Sequence, residues 1–121
     1  MDQLETPRLR LRMFASNDLE ELSRIFSDPE VVKHLHPDHP LTRAETEAVL
    51  KSYIRHWRQN NYGRWAVVHK RTGKLIGYGG LRNAEGTPEL VYLLARPYWG
   101  YGLATEMAGA LPLVRIREAA L

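Results

Sequence analysis

The apolar residues change their spacing at Gly63, and that change restricts what the chain can fold into. Before it they recur at helical intervals, first as Leu19, Leu22, Ile25 and Phe26, then as Val49, Leu50, Tyr53, Ile54 and Trp57. After it come three short runs of strand character, Trp65 to His69, Leu75 to Leu81 and Leu90 to Leu94, parted by turn residues at 71–73 and 83–88. Runs parted so closely read as an antiparallel meander. A further strand precedes the helices, because Arg8 to Met13 alternates strictly, with Leu9, Leu11 and Met13 on one side and three arginines on the other. A last helix opens at Gly102 with Leu103, Met107, Ala110 and Leu111 as its apolar stripe, until Pro112 interrupts it. The predicted order is β-α-α-β-β-β-α, an α/β chain with one domain over residues 1–121.

Local signals set the boundaries. Ser16 or Asn17 is expected to cap the first helix, which Asp28 and Pro29 stop. Thr42 and Glu45 form a capping box for the second, which runs out through Asn60 to Gly63. The stretch Val31 to Leu41, with two prolines and three histidines, reads as a short helical turn followed by a loop. Gly77, Gly79 and Gly80 are poor choices for a strand valued only for its side chains, so something should approach that backbone closely.

Composition narrows the function. The 17 Lys and Arg against 14 Asp and Glu leave a net charge of +3, and the basic residues are spread along the chain, which gives nucleic-acid binding little support. A small polyanion remains compatible, since steering follows local potential. Without cysteine the chain has no disulfide, no Cys-based zinc site and no thiol nucleophile. The N-terminus has no basic region followed by an apolar one, and no stretch approaches a membrane span, so a cytoplasmic protein is the default expectation. His34, His36, Asp38 and His39 read as incidental loop residues rather than as a metal set.

The strongest chemical signal is Tyr98-Trp99-Gly100-Tyr101-Gly102-Leu103-Ala104-Thr105-Glu106, a glycine loop between a strand and a helix. Backbone N–H groups in such a turn, with the helix N-terminus behind them, can hold a pyrophosphate without any lysine. A plain strand-to-helix turn is the alternative. A Rossmann site would want this loop after the first strand of a parallel unit, whereas here three hairpin-like strands precede it.

Trp99 to Ala104 resembles the Gln/Arg-x-x-Gly-x-Gly/Ala pattern of the GNAT-superfamily N-acetyltransferases, with Trp in the first place. The Trp-Gly-x-Gly-x-Ala-Thr-Glu form, the opening Glu5-Thr6-Pro7-Arg8-Leu9, Asp18-Leu19 and Asp28-Pro29 resemble the RimJ/RimL branch. The resemblance implies a mixed, largely antiparallel sheet with flanking helices. It also implies acetyl-coenzyme A as co-substrate, and transfer of its acetyl group to a primary amine, of a protein N-terminus or a small molecule, by direct attack.

Carried over residue by residue, the backbone of Leu93 and Leu94 would pair with the pantetheine arm, and the amides of Trp99, Gly100, Tyr101, Gly102, Leu103 and Ala104 would hold the pyrophosphate. An N–H near Leu94 would polarise the thioester carbonyl. Glu89 would act as a base through water if burial raised its pKa, its other reading being a solvated residue at a turn. His36 borders the expected acceptor site, while Trp99 and Tyr98 read as wedges for the loop. The match fades after Ala110, where relatives continue into further strands, so the resemblance implies a chain lacking the C-terminal strands. A non-catalytic remnant that folds or forms a homodimer through an exposed strand edge is the alternative.

Overall fold

The computed structural model describes residues 3–35 and 39–111. Five strands form one sheet in chain order, antiparallel throughout: β1 (Gln3–Glu5), β2 (Leu9–Arg12), β3 (Arg64–His69), β4 (Leu75–Ala84) and β5 (Thr87–Leu94). Helices α1 (Leu19–Phe26), α2 (Pro29–Val32) and α3 (Arg43–Asn60) lie between β2 and β3 in the chain, and α4 (Leu103–Ala110) follows β5. The expected order is present with β1 added in front, a strand of three residues that is too short to show a period.

Two cores line the two faces of the sheet. Leu22, Phe26, Leu50 and Tyr53 from α1 and α3 pack with Ala66, Tyr78 and Leu93 on one face. Leu103 and Met107 from α4 pack with Leu9, Leu11, Val67, Ile76 and Leu94 on the other. Leu9 and Leu11 are fully buried, as their alternation requires, whereas Met13 lies beyond the strand and is exposed. The capping box of α3 is formed as expected, with Glu45 N–H donating to Thr42 Oγ1 at 3.1 Å and Thr42 N–H to Glu45 Oε1 at 2.9 Å.

Two boundary expectations are corrected. Ser16 and Asn17 do not cap α1 but belong to a 3-10 turn, Ser16–Asp18, and the buried Asp18 carboxylate accepts from Ala15 N–H and from the Arg12 guanidinium at 2.8–2.9 Å. The β4–β5 turn is only Glu85 and Gly86, both at positive φ, so residues 83, 84, 87 and 88 belong to the strands. Pro88 is tolerated because β5 is the edge strand. Ala95 N–H donates to Ile76 O, which fixes the alternation of bonded pairs and turns the position of Pro88's missing N–H outward.

The close approach expected at the β4 glycines is made by the protein itself. A Cβ at Gly77 would overlap the Leu93 carbonyl, at Gly79 the Met107 thioether, and at Gly80 the Gly63 carbonyl.

Candidate functional site

After β5 the chain makes a 3-10 turn, Arg96–Tyr98, and reaches the glycine loop. Gly100 and Gly102 have φ of +83° and +76°, the left-handed region that glycine enters at no steric cost, and Gly102 is the N-cap of α4. The first helical bond is Glu106 N–H to Gly102 O, which leaves the amides of Leu103, Ala104 and Thr105 without intrahelical partners at the positive end of the helix dipole. Among the described residues, chain neighbours apart, no atom lies within 4 Å of where a Cβ would sit on Gly100, and only Arg8 Nη2, at 3.9 Å, approaches that of Gly102. The backbone faces open space with a guanidinium beside it.

Three ties hold this loop. Trp99 Nε1 donates to Leu94 O at 2.7 Å, which supports the expected bracing role even though the ring is 46% exposed. Arg96 pairs with Asp28, the residue that caps α2. Glu106 accepts from Thr6 Oγ1 and from Arg8 through both its backbone N–H and its guanidinium. Burial alone would raise the Glu106 carboxyl, but the bonds from Thr6 and Arg8 outweigh it and hold the group below its ordinary value.

The edge of β5 meets the loop. In the alternation fixed by Ala95, the backbone of Leu93 is turned towards Tyr78, while Tyr92 and Leu94 present theirs to the open side. Leu93 and Leu94 therefore differ: the Leu93 side chain belongs to the core under α1 and α3, and only Leu94 joins the loop. Tyr92, Leu94, Trp99, Gly100, Gly102 and Ala104 surround one cavity of about 190 Å³. Tyr101 is 66% exposed and borders a neighbouring concavity of about 830 Å³, in which Arg8, Lys70 and Arg71 come together. That basic cluster was invisible in the sequence because Arg8 lies about sixty residues from Lys70 and Arg71 and meets them only through the pairing of β2 with β3.

Glu89 faces the opposite side of β5. It lies beside Arg82 across the hairpin, with Arg82 Nε donating to its Oε1 at 2.7 Å, and both side chains are half exposed. The burial that a carboxylate base was expected to use is therefore not provided. Glu89 and Arg82 line a third cavity, of about 360 Å³, together with Phe26, Tyr53, Arg64 and Val91. His34 also lines it, whereas His36 lies outside the described residues. Burial pushes the Tyr53 phenol far up, so it is neutral.

The Acetyltransferase (GNAT) domain model matches residues 8–115, and the chain belongs to this family. It is 32% identical over 111 residues to the uncharacterized N-acetyltransferase p20 of Bacillus licheniformis, covering 88% of this chain and 61% of that protein. The chain thus spans about three fifths of this curated relative's length. A putative GNAT-family acetyltransferase from Bordetella pertussis shares the fold at a TM-score of 0.81 and 20% identity, over 98% of this chain and 74% of that one. RimL, a ribosomal alpha-N-protein acetyltransferase in complex with coenzyme A, shares it at a TM-score of 0.72 and 12% identity, over 87% and 62% respectively.

Proposed function

We propose that this chain binds acetyl-coenzyme A at the glycine loop and along the outer edge of β5, and transfers the acetyl group to a primary amine by direct attack. One observation carries this reading. The outward-facing backbone of Tyr92 and Leu94, the two left-handed glycines and the unpartnered amides of α4 converge on one cavity. A pyrophosphate suits the amides from Gly100 to Ala104, the Trp99 N–H being already donated to Arg96 O, and the neighbouring concavity, where Arg71 stands beside the Arg8–Glu106 and Lys70–Glu5 pairs, suits the nucleotide end of the cofactor. The Trp-Gly-x-Gly-x-Ala-Thr-Glu loop and the RimL fold likeness support the RimJ/RimL branch.

Order along the strand supports one arrangement of the chemistry. Leu94 adjoins the loop, and Glu89 lies five residues back, roughly 16 Å along β5. A pantetheine arm running back from the loop meets the N–H of Leu94 first and that of Tyr92 next. The thioester carbonyl then falls beyond Leu94, towards Glu89, where an edge N–H stabilises the charge that develops on its oxygen. Glu89 takes the amine's proton through water from a half-exposed position beside Arg82, so it acts without the burial first expected, and the amine attacks the thioester carbon directly, with coenzyme A leaving as thiolate.

Adding acetyl-coenzyme A should raise the melting temperature by mass action, and adding an amine should release free thiol. Glu89→Gln should lower kcat by about a hundredfold while leaving acetyl-coenzyme A affinity nearly unchanged. No thermal shift at millimolar acetyl-coenzyme A would defeat the cofactor reading. An unchanged pH–rate profile in Glu89→Gln would remove that residue from the chemistry.

A further inference from the structure

Arg64 stands at the start of β3, on the face covered by α3. Its guanidinium carbon lies 4.6 Å from the ring centroid of Tyr53 and 4.9 Å from that of Tyr78. Its Nε is closed off from solvent and has no hydrogen-bond partner, and among the described residues Arg64 joins no ion pair. The two phenols supply ring faces to the cation but no counter-charge. In the same cavity Arg82 and Glu89 neutralise each other, so His34 apart, the described lining keeps one positive charge, that of Arg64.

We propose that Arg64 reads a carboxylate on the acceptor, so that the acceptor is a small amino acid with an apolar side chain rather than a polyamine or an aminoglycoside. This rests on the acetyl-transfer reading and names the substrate class of its acceptor side. The Tyr53 and Tyr78 rings, set edge to face at 64°, hold the guanidinium carbon at 4.6 and 4.9 Å from their centroids, and with Nε shut away the two Nη groups are what remains to meet a ligand. That end-on fork matches the two oxygens of a carboxylate. Phe26, Leu41 and Val49 form an apolar wall of the same cavity, suited to an aliphatic body, and Glu89 lies on its β5 side, where the amine must meet the thioester. A polycation would bring its charges against the Arg64 guanidinium, which no described carboxylate offsets.

An arginine held against two rings can also act as a plain brace between α3 and the sheet, and acceptor discrimination separates the two roles. Leucine, leucinamide and spermidine would be compared as acceptors by thiol release, and leucine and leucinamide also by calorimetry with the full chain, with and without coenzyme A. Leucine should exceed leucinamide by about tenfold or more in kcat/KM and in affinity, as loss of a charge-assisted pair implies. Arg64→Met should erase that preference while leaving acetyl-coenzyme A binding intact, and Arg64→Lys should restore only part of it. Equal or better use of leucinamide or spermidine by the unaltered protein would overturn the proposal, as would no measurable leucine binding or a preference that survives in Arg64→Met. Should Arg64→Met fail to fold, the comparison in the unaltered protein decides alone. A protein that binds leucine over leucinamide but ignores acetyl-coenzyme A would sink the transfer reading and leave the carboxylate reading standing.

Discussion

The glycines of β4 and those of the loop before α4 are required for opposite reasons. At Gly77, Gly79 and Gly80 the missing side chain is replaced by the protein's own atoms, a carbonyl, a thioether and a second carbonyl. At Gly100 and Gly102 the surroundings are nearly empty, and the requirement lies in the backbone angle. The first set is a packing device that lets β3, β5 and α4 close on β4. The second shapes a backbone surface that faces outward, which is what an anion site needs. A glycine-rich sequence thus gains meaning only when one asks what would occupy the place of each Cβ.

This contrast can be broken by substitution. Gly77→Val should cost about 3 kcal/mol or prevent folding, because the new branch meets backbone that cannot rotate away. A lowered urea midpoint would record it, and a midpoint unchanged from the parent would contradict the packing role. Gly100→Ala should cost only about 1 kcal/mol, the strain of a left-handed alanine with free space around it.

The smallest effect should come from the tie that holds the loop. Because the folded Glu106 carboxyl titrates below its ordinary value, its contribution to stability is present above the ordinary carboxylate pKa and is lost as pH falls through the folded one. Between about pH 5 and pH 3 the parent should therefore lose more stability than Glu106→Gln. Parallel stability curves for the two proteins over that range would show that the bonds to Thr6 and Arg8 add nothing.

The parts of the fold legible in the sequence were those set by local rules. Leu9 and Leu11 announce a strand by alternation, Thr42 and Glu45 announce a helix start by reciprocal hydrogen bonds, and the loop glycines announce a strand-to-helix turn. Pro88 misled because a proline reads as a breaker unless the strand is known to be an edge, and edge position belongs to the whole sheet. The pairing of Asp18 with Arg12 was hidden for a similar reason, since it spans the strand-to-helix corner. At the site, the loop could be read directly, but the gathering of Arg8 with Lys70 and Arg71 depends on strand register, and the contact of Arg64 with the Tyr53 and Tyr78 rings depends also on how α3 lies on the sheet.

The central claim is that the open glycine backbone is a cofactor site, and calorimetric titration of acetyl-coenzyme A into the parent and into Gly102→Val tests it most directly. The branched side chain cannot adopt the left-handed N-cap comfortably, yet it touches no core atom, so the variant should keep its circular dichroism spectrum and unfold cooperatively. The account predicts saturable binding to the parent and none to this folded variant. Undiminished affinity in folded Gly102→Val would contradict it.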